Sequence, residues 1–184
     1  MAETVKTKSG LEIEIRRETP EDYAEVNALV GKAFSLASDG VDDTAEYLIG
    51  LRGKDVFIPE LSFAAVLAGG RIVGQITLYK TDIVTETGKN TQLNLSPISV
   101  LPEFFGHGIA REMIVYALAK AKEMGYAAVF LRGDPNFYKR FGFEPTYRYG
   151  IYHKDDAERN AEDCLVKVLA SGGLDGVTGV VDNC

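Results

Sequence analysis

Leu11, Ile13 and Ile15 alternate with Glu12, Glu14 and Arg16, and a period of two puts the apolar members on one face of a strand. Thr19-Pro20-Glu21-Asp22 follows, reading as an N-cap, a proline in the first helical position and two acids in the first turn. Tyr23, Val26, Leu29, Val30, Ala33 and Phe34 then recur at helical spacing, and a weaker helix is expected over Asp42–Leu51. Two apolar runs flank Gly69-Gly70 in "LSFAAVLAGGRIVGQITLYKTDIV", a hairpin signal. A further strand, "QLNLSPISV", reaches Val100. Three consecutive strands without a crossover are expected to pair antiparallel.

From Gly108 the period changes. Ile109/Ala110, Met113/Ile114, Ala117/Leu118 and Ala121 form an apolar stripe four residues apart, and Gly125 suits a C-terminal cap. "AAVFL", 127–131, is a continuous apolar run of the kind a buried parallel strand shows. Strand, loop, helix and strand make a βαβ crossover with parallel flanking strands. Asp134-Pro135 starts a short helix that Gly142 ends, and "FEPTYRYGIYH" and "CLVKVLA" read as closing strands on either side of a polar loop, 153–163. The fold class is α+β: a mixed, mostly antiparallel sheet with helices on both faces, in one domain over residues 1–184.

Composition narrows the chemistry. With 46% hydrophobic and 26% charged residues, the 184-residue chain is an ordinary globular sequence. No apolar run approaches the ~20 residues of a membrane span, and "MAETVKTKSG" lacks the apolar stretch of a signal peptide. A formal net charge of −7 disfavours nucleic acid as a partner, and without an apolar span no membrane partner is expected. It fits a cationic acceptor, with Asp39, Asp42 and Asp43 as acids near the expected mouth. Cys164 and Cys184, with no CxxC spacing, are expected as reduced thiols in a cytoplasm. His107 and His153 are the two imidazoles, neither at metal-ligand spacing, so no metal site is expected.

"PEFFGHGIAREM", 102–113, brings Gly106 and Gly108 just ahead of the helical stripe. Glycines leading into a helix N-terminus leave backbone N–H groups free, where the dipole favours anions. The Gly-Lys-Ser/Thr of a P-loop is missing, and position 111 of a GxGxxG reading is arginine. On the loop alone, a capping turn that binds nothing remains open.

Over residues 95–145, "LSPISVLPEFFGHGIAREMIVYALAKAKEMGYAAVFLRGDPNFYKRFGFEP", the chain resembles the GNAT superfamily of acyl-CoA-dependent N-acetyltransferases, in particular predicted small bacterial members with a "GDPxFYxRFGF" segment. The resemblance implies the GNAT fold with an acetyl-CoA-binding core at about 95–145. Ile98-Ser99-Val100 would hydrogen-bond the pantetheine arm, with the sheet splaying after Val100. The backbone of Gly106, His107, Gly108, Ile109, Ala110 and Arg111 would wrap the CoA pyrophosphate, Gly108-Ile109-Ala110 matching the family's Gly-x-Gly/Ala. Phe105 departs from the Arg or Gln usual at the loop's start, and one polar tie to the cofactor goes with it.

Tyr138 stands four residues before Gly142, as in the family's Tyr-x-x-x-Gly-Phe, which implies a general acid for the departing CoA thiolate. A phenol near 10 would make that transfer nearly balanced; packing beside Phe137 and Phe141 is the bland alternative. Some members carry a glutamate base eleven residues before the Arg/Gln position. Here that residue is Asn94, and an amide accepts no proton at neutral pH. His107 reads as a solvent-facing loop residue and His153 as structural or surface.

The expectation is a cytoplasmic N-acetyltransferase moving acetyl from acetyl-CoA to a primary amine of a small molecule or peptide, by direct attack and without metal. Its rivals are a non-catalytic acyl-CoA-binding regulatory module and a nucleotide-binding protein using the same loop.

Overall fold

The alternation at residues 11–16 becomes strand β2 (Glu12–Arg17), with Ile13 and Ile15 buried. It pairs antiparallel with β1 (Glu3–Lys6), Val5 opposite Ile13. β1 was not anticipated, because its four residues show no regular alternation and only pairing with β2 makes them a strand. The computed structural model describes residues 2–35 and 43–184. The chain falls into two compact units, residues 1–78 with 96–117 and residues 79–95 with 118–184. Strands β4 (Ile72–Thr85) and β5 (Gly88–Val100) and helix α3 (Ile109–Glu123) each contribute residues to both.

In the first unit β2 also pairs antiparallel with β3 (Phe57–Val66), and β4 and β5 follow in strand order. The Thr19 N-cap is present: its N–H donates to Asp22 Oδ2 at 2.8 Å, after which α1 (Tyr23–Phe34) buries Val26, Leu29 and Val30. Helix α2 runs Thr44–Leu51, with Asp43 as its N-cap; Asp39 and Asp42 lie outside the described residues. Sequence periodicity gave no sign of a buried ion pair between Arg52 and Glu18. Arg52 also donates to Asn27 Oδ1 at 2.6 Å and stacks 4.0 Å from the Tyr23 ring centroid, while Glu18 accepts from the Ser62 hydroxyl. The pair thus ties α1 and α2 to the sheet, and losing one partner would strand a buried charge.

In the second unit β5 pairs with β6 (Ala128–Arg132) in parallel, as the βαβ reading requires. β9 (Cys164–Val168) lies antiparallel to β6 and to the two-residue β7 (Glu144–Pro145). Two expectations change here, and one strand is new. "FEPTYRYGIYH" is no continuous strand: a 3-10 turn at Thr146–Tyr149 and Gly150 at φ +70° separate β7 from β8 (Ile151–His153). A strand β10 (Gly179–Val181) pairs antiparallel with β4 and parallel with β8; a side chain on Gly179 would collide with the Val84 carbonyl. The cysteines are not reduced thiols, since Cys164 and Cys184 form a disulfide with Cα atoms 5.2 Å apart. Spacing along the chain hid the pairing that β9 and the chain end create. A core of Ile83, Phe130, Ile151, Val166 and Val181 surrounds it. His153 takes the structural of its two readings: it is buried, its Nε2 3.0 Å from the Asp182 carbonyl. No described helix is long and apolar enough to cross a membrane.

Candidate active site

The end of β5, the loop after it and the start of α3 lie together in the first unit. What lets them meet is Gly74 in β4. A Cβ there would lie 2.8 Å from Met113 Sδ, 3.1 Å from Ile109 Cγ2 and 3.3 Å from the Ser99 carbonyl. Only a residue without a side chain lets the apolar face of α3 settle so close to the strand. Sequence reading passed over it; the signal was an isolated glycine inside the apolar run "RIVGQITLY". Ser99 is buried and its hydroxyl has no partner among the described residues. Val100 is also buried, and Ile98 is half-buried.

After a 3-10 turn at Pro102–Phe104, Gly106 (φ +80°) and Gly108 (φ +88°) turn the chain into α3. That left-handed region strongly favours glycine. The N–H of Glu112 is taken by the Gly108 carbonyl, and that of His107 by Phe104. Among the described residues, no protein group accepts the N–H groups of Gly106, Gly108, Ile109, Ala110 or Arg111. Five free donors therefore stand at the positive end of a fifteen-residue helix, where the dipole favours negative charge. His107 is not simply solvent-facing: its ring is 6.1 Å from that of Phe104 and its Nδ1 is 3.1 Å from Ser9 Oγ. Phe105 is 56% exposed and offers the loop no polar group.

Tyr138 belongs to the second unit, at the end of the short helix α4 (Pro135–Tyr138), which Asp134 caps by accepting the Asn136 N–H at 2.8 Å. Its ring packs edge-on against Phe137 and Phe143, with centroids 4.9 and 5.6 Å away. The ring packs, as the bland reading has it, and the phenol has no protein hydrogen-bond partner among the described residues. Burial pushes that phenol up to about 12, away from the balanced 10 expected from the side chain alone. Asn94, also in this unit, is buried, donates through Nδ2 to the Tyr79 hydroxyl at 2.6 Å, and keeps an unpartnered Oδ1. The register pairs of β5 with β6 are Leu93 with Val129 and Asn94 with Phe130. Their pairing therefore ends at Asn94, not after Val100 as expected.

The acetyltransferase (GNAT) domain profile matches residues 14–146. The chain belongs to the GNAT acetyltransferase family. It is 31% identical to the N-acetyltransferase YhbS of Escherichia coli K12 over 169 residues, 91% of this chain and 94% of that protein. The crystal structure of Escherichia coli YhbS in complex with CoA superposes with a TM-score of 0.81 at 29% identity, covering 93% of this chain and 89% of the other. A GNAT acetyltransferase from Brucella melitensis in complex with acetyl-CoA gives 0.73 at 25% identity, covering 92% and 94%. As a GNAT member the chain is an acetyl-CoA-dependent acyltransferase with a mixed, mostly antiparallel α+β sheet. No cluster of three or more metal-ligating side chains occurs among the described residues.

Proposed function

We propose that the chain acts as one N-acetyltransferase domain, moving acetyl from acetyl-CoA to a primary amine of a small molecule or peptide. The observation that carries this reading is the set of free N–H donors of Gly106, Gly108, Ile109, Ala110 and Arg111 at the start of α3, suited to a pyrophosphate. It is supported by the relatives whose structures hold CoA and acetyl-CoA. Because β6 stops pairing with β5 at Asn94, Ile98-Ser99-Val100 is the segment assigned to the pantetheine arm, with the backbone of Ile98 and Val100 on the edge turned away from β4. A phenol at about 12 remains protonated throughout the working range. In direct attack the amine nitrogen bonds to the acetyl carbon, the C–S bond breaks, and the thiolate receives the Tyr138 proton. The ammonium proton then returns to the phenolate through water. Asn94 cannot serve as base, so the amine must arrive neutral.

Thiol release from acetyl-CoA across a panel of amines tests the reading. Turnover with at least one amine supports it. Acetyl-CoA binding without turnover on any amine would instead favour a non-catalytic binding module, the alternative that Asn94 and Phe105 favour. Binding of ATP rather than CoA would overturn both.

A further inference from the structure

The loop has a second wall. Between β1 and β2, residues 7–10 form a closed turn: the Thr7 N–H donates to the Leu11 carbonyl at 2.8 Å, and the Gly10 N–H to Thr7 at 2.9 Å. Thr7 is buried, its hydroxyl 3.1 Å from Ser9 Oγ. Ser9 Oγ donates to the His107 carbonyl at 3.1 Å and meets His107 Nδ1 at the same distance. A Cβ built on Gly108 would lie 3.6 Å from the Lys8 backbone nitrogen and 3.8 Å from its Cβ. Lys8 therefore sits beside the glycine that opens the helix.

Three other cations near this loop are already engaged. Lys32 and Arg71 share Glu103 at 3.2 and 2.5 Å, and Arg111 pairs with Glu112 at 2.5 Å. Lys8 is exposed and has no carboxylate partner among the described residues, and no protein group there accepts its N–H. Phe105 supplies no charge, and the chain as a whole carries −7, so a multiply charged cofactor needs a local cation to settle here.

We propose that Lys8, on the β1–β2 turn, binds a phosphate of CoA. It supplies the charge that Phe105 does not, and its amide extends the donor row of the loop. The inference rests on the CoA reading above.

Calorimetry with CoA and with 3′-dephospho-CoA tests it on wild type, Lys8→Gln and the exposed control Lys122→Gln, at two salt concentrations. Lys8→Gln is expected to weaken CoA about tenfold and to flatten the salt dependence, while Lys122→Gln binds as wild type. A loss shared by 3′-dephospho-CoA assigns the contact to the pyrophosphate; a loss confined to CoA assigns it to the 3′-phosphate. Wild-type affinity and salt dependence in Lys8→Gln would overturn the proposal while leaving the CoA reading intact. Absence of CoA binding by the wild type would overturn that reading itself.

Discussion

A Cβ on Gly133 would lie 2.5 Å from Cε2 of Tyr138. Gly133 has no left-handed φ, so alanine there is tolerated by the backbone and acts through the ring alone. Gly133→Ala is expected to displace Tyr138 and to lower kcat by about tenfold or more, the scale on which misplaced catalytic groups act. Acetyl-CoA affinity should stay unchanged. Adding Gly133→Ala to Tyr138→Phe should cost little further turnover. Steady-state kinetics on the four forms of this cycle check it, and fully additive losses would contradict the coupling.

Tyr138→Phe should slow turnover roughly 10²-fold, the usual scale of general acid catalysis, with the loss in kcat rather than in the KM for acetyl-CoA. Burial raises the phenol to about 12, so its own titration lies above the accessible range and cannot shape the profile. kcat/KM should rise with pH toward the acceptor amine's pKa, about 10.4 for a lysine-like amine, in wild type and Tyr138→Phe alike. A plateau starting near pH 6 would show that a carboxylate base operates.

Asp22 is held at about 2, chiefly by its hydrogen bonds from Arg16 at 2.6 and 2.7 Å, with the Thr19 backbone N–H adding to them. A depressed carboxylate stabilises the fold above its unfolded value of about 3.9, and this increment disappears as pH falls through the folded value. With its side chain 11% exposed, the shift corresponds to roughly 2 kcal/mol. Asp22→Asn should cost about that much at pH 7 and remove the part of the acid transition between pH ~4 and ~2. Urea titrations at a series of pH values read this directly; parallel curves for mutant and wild type would refute it.

The Cys164–Cys184 bond closes a loop with a sequence separation of 20, and a loop of that size is worth about 3 kcal/mol in the chain-entropy account. Cys184→Ser should lower stability by about that amount. Because β10 reaches β4 and β8 through few backbone pairs, amide exchange at Val180 and Val181 should rise before exchange in β9. Thiol titration of the denatured, unreduced protein is the first check, and two free thiols would negate the bond.

Patterns that repeat along the chain were legible without coordinates. The apolar stripe of α3 emerged as a helix with Ile109, Met113, Ile114, Ala117 and Ala121 buried. The Thr19 cap and the "AAVFL" strand were equally local, since caps and periodicity depend on neighbours in sequence. The "FEPTYRYGIYH" alternation misled because Gly150 takes φ +70°, and the glycine's backbone outweighs the pattern around it. At the site, Gly106 and Gly108 advertised their left-handed geometry by being glycine. Tyr138 was singled out as a candidate through its motif, but its shifted phenol could not be read there, because desolvation depends on what packs around the ring.

By itself, then, the sequence determined where the helices and most strands lie, which glycines turn the loop before α3, and the family to which residues 14–146 belong. Each follows from residues close together in the chain or from a contiguous motif. Only the tertiary structure decided that Gly74 admits α3 against Ser99 and that Lys8 lies beside Gly108. It also paired Arg52 with Glu18 and Cys164 with Cys184. Those contacts join residues 20 to 100 positions apart or lie across strands, where close packing and desolvation select partners that no local period records.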